Sequence, residues 1–143
     1  MNKLPELEAF DQRREIAAAS HNPSWTVERQ GLALVLVPVA EVSYLAQQDS
    51  GADVDAVLAL LRETGARHIV VDFSEASYCG SMLLGALLRL GKNLTRQDGR
   101  MALCNVSRSL EMVFSATGLS KQWVMHPSRS TALAAVGEKR TAT

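Results

Sequence analysis

Residues 69–88 read Ile69-Val70-Val71-Asp72-Phe73-Ser74-Glu75-Ala76-Ser77-Tyr78-Cys79-Gly80-Ser81-Met82-Leu83-Leu84-Gly85-Ala86-Leu87-Leu88. With His68 in front, the first part is an apolar run through Phe73, short and β-branched, which predicts a strand. Ser74 to Gly80 has little periodicity and reads as a connection. From Ser81 on, Leu83, Leu84, Leu87, Leu88 and Leu90 crowd onto a helix, where Gly85 and Ala86 leave part of the surface small enough to lie close against a sheet. A strand that passes through a short loop into a helix is the first half of a crossover unit, so the segment predicts a parallel strand pair.

The same alternation extends in both directions. Upstream, Trp25-Thr26-Val27-Glu28-Arg29 alternates apolar and polar as a half-buried strand does, and Gln30-Gly31 supplies a turn. Leu32 to Val37 is apolar at every position, the mark of a strand buried on both faces, and Pro38 ends its ladder. Val54, Val57, Leu58 and Leu61 then fall at helical spacing from Ser50, and Gly65 closes that helix. Downstream, Gly99 turns the chain into an apolar strand, Met101 to Val106. Ser107 or Ser109 caps the next helix, which ends at Gly118. Trp123-Val124-Met125 is a short last strand, and a final helix covers roughly Ser130 to Val136. Strands alternating with helices predict an α/β domain with a mixed, largely parallel sheet of about five strands. Residues 1–23 read as an extension, with Pro5 opening a short helix through about Ala19, and 138–143 as a polar, disordered tail.

Composition narrows the function. The 143 residues carry 15 Lys+Arg and 15 Asp+Glu, so no bulk charge favours nucleic acid or an anionic membrane. The longest apolar run, Leu32 to Ala40, is about half the ~18 residues a membrane helix needs. Acidic and basic residues in the first fifteen positions interrupt any signal peptide. The two cysteines, Cys79 and Cys104, have apolar neighbours and read as reduced, packed thiols in a cytoplasmic protein.

Catalytic and metal-binding patterns are weak. The sequence has neither a Gly-rich phosphate loop nor a Gly-x-Ser-x-Gly elbow. His21, His68 and His126 lack metal-ligand spacing; His68 reads as a strand-edge residue and His126 as a solvated loop residue. Asp49 to Asp55 fails as a calcium loop, because its glycine comes too early and no glutamate closes it. Asp72 and Glu75 read as a strand end and a loop residue rather than as an acid/base pair. Arg89, Lys92 and Arg96 form a basic stripe whose plain reading is a solvated helix face and whose functional reading is a docking edge for an acidic partner. No cofactor, metal site or catalytic residue is expected. Ser81 is the residue of interest: its hydroxyl suits a helix cap, and a phosphate there would sit where backbone amides and the helix dipole favour an anion. The residues by themselves favour the cap.

The segment 69–88 resembles the central signature of STAS domains, the family that includes bacterial anti-sigma factor antagonists, roughly V-V-L-D-L-S-x-V-x-F-I-D-S-S-G-L-G-A-L-L. Gly99 to Val106 is similar to the family's next strand, roughly G-R-L-x-L-x-N-V; Thr117-Gly118-Leu119 to its T-G-L helix end; and Ser130 to Leu133 to its terminal helix. The resemblance implies the STAS fold over about residues 24–137, with helices packed mainly on one side of the sheet, and a binding module rather than an enzyme. It implies a protein partner, an anti-sigma factor that is also a serine kinase with a histidine-kinase-like ATPase fold. It also implies regulation by partner switching, with Ser81 at the phospho-acceptor position, and no nucleic-acid partner or membrane insertion; a monomer or weak dimer is expected.

Around Ser81 the sequence departs from the pattern. Gly80 stands for the acidic residue, Met82 for the second serine and Leu83 for the glycine; of the family's G-E-L-D only Glu41 and the apolar position after it remain, in Ala40-Glu41-Val42-Ser43. Met82 and Leu83 either pack inward or form an exposed patch. The expected partner-binding residues are Glu41, Ser74, Glu75, Ser77, Gly80, Met82 and Leu83. A second reading makes the chain a non-switching adaptor, transporter-associated or stressosome-like, with Ser81 only a cap.

Overall fold

The computed structural model describes residues 25–39, 50–76, 79 and 81–137, with side chains omitted at 50–53, 81 and 82. The expected N-terminal helix, the tail, Glu41, Ser77 and Gly80 lie outside the described residues.

Strand β1 (Trp25–Gln30) and strand β2 (Ala33–Pro38) form an antiparallel hairpin with Gln30 opposite Ala33. Its two-residue loop needs a positive φ, which Gly31 supplies at +63°. Helix α1 (Ser50–Thr64) leads to β3 (His68–Asp72), helix α2 (Ser81–Arg96) to β4 (Met101–Cys104), and helix α3 (Arg108–Ala116) to β5 (Val124–His126). Helix α4 (Arg129–Gly137) closes the described chain. The sheet order is β1-β2-β3-β4-β5, parallel from β2 onward.

This order dictates where the helices lie. Parallel strands added one after another through right-handed crossovers must put every crossover helix on the same face. Accordingly α1, α2 and α3 share one core with Leu34, Leu36, Ile69, Val71 and Leu103. The alternate strand positions face the other way, where Ala33, Val35, Val70, Ala102 and Cys104 receive Ala132 and Val136 of α4. Three of the four described α-helices therefore occupy one side, as expected, and α4, which no later described strand holds back, covers the second. The residues beneath α4 are small and the helix seats close to the sheet. It is held at both ends: Arg129 binds Asp72 and Glu28, and Arg100 Nη1 donates to the Ala135 carbonyl at 2.9 Å.

Local differences from the sequence reading have physical causes. The strand predicted to Val106 stops at Cys104, because Asn105 adopts φ +55°, a left-handed conformation that asparagine tolerates. The strand predicted to Phe73 stops at Asp72, where the chain tightens into a 3-10 turn over Phe73–Glu75. The last strand starts one residue late, because Trp123 still belongs to the preceding turn, its amide bonding the Leu119 carbonyl. Ser107 is the cap of α3, its hydroxyl accepting from the Leu110 amide. The small surface predicted from Gly85 and Ala86 is split: Ala86 is buried, whereas Gly85 faces solvent. The close approach occurs instead at Gly99, where an added Cβ would lie 2.2 Å from the Arg67 carbonyl oxygen.

Candidate functional site

The candidate site grows from the C-terminal end of β3. Alternation along β3 turns Val70 and Asp72 toward α4, so Asp72 arrives buried, 3% exposed. A buried carboxylate is tolerated only when hydrogen-bonded. Its Oδ1 accepts from the Ser74 amide and from Asn105 Nδ2, each at 2.9 Å, and its Oδ2 accepts from Arg129 Nε at 2.9 Å. Arg129 Nη1 continues to Glu28 Oε2 at 2.6 Å, so β1, β3 and α4 meet at one guanidinium. Burial pushes the Asp72 carboxyl up, but the hydrogen bonds from Asn105, Ser74 and Arg129 outweigh it and hold the group below its ordinary value. Burial likewise opposes the charge on Arg129, and the carboxylates of Asp72 and Glu28 raise its pKa regardless.

The same contacts shape the connection to α2. Asp72 caps the 3-10 turn through the Ser74 amide, and the Ala76 amide closes it on the Phe73 carbonyl at 3.1 Å. Phe73 is buried and packs on Phe114 at 5.9 Å between ring centroids; Phe114 in turn meets Trp123 edge-on at 6.2 Å. Such a buried ring contributes ~1.5–3 kcal/mol and anchors the turn. With Phe73 turned in, Ser74 and Glu75 are turned out, and both are exposed. Ala76 is buried, and Cys79 is half-buried. Burial lifts the thiols of Cys79 and Cys104 to about 12, so neither is a ready nucleophile.

Ser81 is the first residue of the 16-residue α2, and Met82 the second. Leu83 takes the inward alternative: it is 4% exposed within the main core, which corrects its assignment to a partner-contacting patch. Position 83 starts the helix's buried stripe, continued by Leu87, Leu90 and Leu94, and a leucine there is drawn into the core. Of the expected contact residues, the structure thus brings Ser74, Glu75 and the backbone of Ser81 and Met82 to one end of the domain. Asp72 and Glu75 do not meet as an acid/base pair, since Asp72 is enclosed by its own partners. The stripe Arg89, Lys92 and Arg96 is exposed.

Sequence reasoning missed the Asp72–Arg129–Glu28 network. Glu28 and Arg129 are 101 positions apart and no local period links them. The available signal was a charged residue closing an otherwise apolar strand, since an acid buried there requires a cation from elsewhere in the fold.

The fold is a small α/β module, a five-stranded mixed sheet covered by helices on both faces. The STAS domain family model matches residues 24–132, and the chain belongs to that family. Solved structures agree with the fold. An anti-sigma factor antagonist from Mycobacterium paratuberculosis superposes with a TM-score of 0.61 at 21% identity, over 80% of this chain and 93% of that one. Unphosphorylated SpoIIAA, an anti-sigma factor antagonist of Bacillus, gives 0.61 at 21% identity over 78% and 95%. A Ser-to-Glu variant of RsbS from Moorella thermoacetica gives 0.66 at 11% identity over 77% and 94%. Among the described residues no helix is long and apolar enough to cross a membrane.

Proposed function

We propose that this chain is an anti-sigma factor antagonist, a cytoplasmic regulatory module spanning residues 24–137 that binds an anti-sigma factor and is switched at Ser81. The observation that carries this reading is that Ser81 opens α2, a few residues after the turn that presents Ser74 and Glu75; the resemblance of the surrounding sequence to the family's phospho-acceptor signature supports its role as acceptor. The unmodified module binds a partner that is also a serine kinase with a histidine-kinase-like ATPase fold. The Ser81 Oγ attacks the γ-phosphorus of the partner's ATP, ADP leaves as the bridging P–O bond breaks, the hydroxyl proton passes to a base on the partner, and the complex parts. The chain is binding partner and acceptor, not catalyst.

Helix geometry supports such a switch. A phosphate at a helix N-terminus meets free amides and the positive end of the dipole, so the fold accepts a charge of about −2 there. A partner packed on the same spot would have to desolvate that charge or leave. The contact surface comprises Glu41, Ser74, Glu75, Ser77, Gly80 and Met82, with Leu83 supporting it from below.

The departures at Gly80 and Met82 favour a second reading, a standing adaptor in which Ser81 only caps α2. Affinity capture of the tagged chain from its native host, with mass spectrometry of co-purifying proteins and of Ser81, separates the two. A histidine-kinase-like ATPase, together with phosphate on Ser81 of the unbound fraction, is the expected result. Capture of a transporter or scaffold subunit with Ser81 unmodified would replace the switch by the adaptor.

A further inference from the structure

We propose that the groove at the far end of α2 is a second docking surface, taking a carboxylate-bearing, partly apolar peptide segment of a partner protein independently of Ser81. The groove lies between the C-terminal half of α2 and the β4–β5 edge of the sheet and encloses about 710 Å³, within the range of ligand-sized clefts. Two exposed cations of α2 line it, Lys92 and Arg96; Arg100 borders it from the approach to β4, but its Nη1 is engaged with the Ala135 carbonyl of α4. Among the described residues the lining includes no Asp or Glu. The nearest acid in sequence, Asp98, is in the turn before Gly99 and does not line the groove. In a chain of zero net charge this is a local concentration of one sign, and it complements carboxylates.

The rest of the lining selects among anions. Leu88 and Met101 are half-buried there and Val124 is 62% exposed, so an occupant gains by covering apolar surface between its charges. Trp123 brings its indole edge to the groove: a Cβ added at Gly91 would lie 3.3 Å from Nε1, so the missing side chain at 91 makes room for that edge. Trp123 is only 5% exposed and offers no ring face, so bases have no stacking platform, and alternating acidic and apolar residues fit better than nucleic acid. Lys92 lies eleven helical positions after Ser81, ~16 Å along the axis, so charge on Ser81 does not occupy the groove.

The test uses the full chain and a fluorescein-labelled (Glu-Leu)5 peptide, with (Lys-Leu)5 and a fluorescein-labelled oligo-dT as comparisons. Anisotropy should report binding of the acidic peptide that weakens at least tenfold from 50 to 300 mM salt. Binding should fall at least tenfold in Lys92→Glu/Arg96→Glu and less in the neutral Lys92→Gln/Arg96→Gln, both of which change exposed side chains and should keep the wild-type melting temperature. In nitrogen-proton correlation spectra the Trp123 indole signal should move on titration while that of Trp25, 1% exposed, stays. Ser81→Asp should bind the peptide as the wild type does, which keeps this result separate from the switch. No binding of the acidic peptide, equal binding by the Glu double variant, or tighter binding of oligo-dT would overturn the proposal.

Discussion

The end of β3 and the turn that follows it are adjacent in sequence and opposite in character. At Asp72 a carboxylate is enclosed by an amide, an asparagine and a guanidinium, each at 2.9 Å. Two residues on, Ser74 and Glu75 face solvent on a turn fixed by Phe73 below and by Asp72 behind. One region makes a single arrangement rigid; the other presents polar groups at no structural cost. A domain that binds partners through a surface needs both, since a surface reads reproducibly only when its support cannot shift.

The comparison predicts a gradient of effects. Asp72→Ala removes the acceptor of three hydrogen bonds and leaves Arg129 with Glu28 alone; because Arg129 is partly exposed, the loss should be about 2–4 kcal/mol by chemical denaturation, below the full cost of breaking a buried pair. Leu83→Ala, which opens a cavity under the start of α2, should cost about 2–3 kcal/mol. A comparable loss of partner binding without loss of stability would return Leu83 to the contact surface.

Acid should erase the first effect. The Asp72 carboxyl is held below its ordinary value, so its contribution is complete above the unfolded pKa of about 3.9 and disappears as pH falls through the lower folded value. The difference in melting temperature between wild type and Asp72→Asn should therefore be constant near neutrality and shrink below about pH 4. Glu28→Gln loosens only the outer, one-third-exposed pair and should cost no more than about 1 kcal/mol in the same assay. At the other extreme, Ser81→Asp should change stability by less than about 0.5 kcal/mol, an acid in the first helical turn being neutral to favourable.

Most of the architecture was legible in the sequence because each strand and helix carries its own period. The apolar run predicted from Leu32 to Val37 does lie inside the sheet from Ala33 on, while Leu32 itself falls in the hairpin turn and is exposed; the leucines from Leu83 onward had to cover a sheet. What stayed illegible was non-local. The side of the sheet that α4 takes depends on the handedness of three crossovers, not on α4 itself. The pairing of Glu28, Asp72 and Arg129 joins residues from the first strand, the central strand and the last helix, and no spacing announces it. The turn residues Ser74 and Glu75 were placed correctly as loop residues, while Leu83 could be settled only by packing. Ser81 drew attention through its position at a helix start and through the family pattern around it.

Whether Ser81 switches partner binding is decided by titrating the recovered kinase partner with wild type, Ser81→Ala and Ser81→Asp in parallel by calorimetry. Ser81→Ala should bind like unmodified wild type, and Ser81→Asp at least tenfold more weakly with its fold intact. Equal affinity of all three would contradict the switch and leave Ser81 as a residue of the helix start alone.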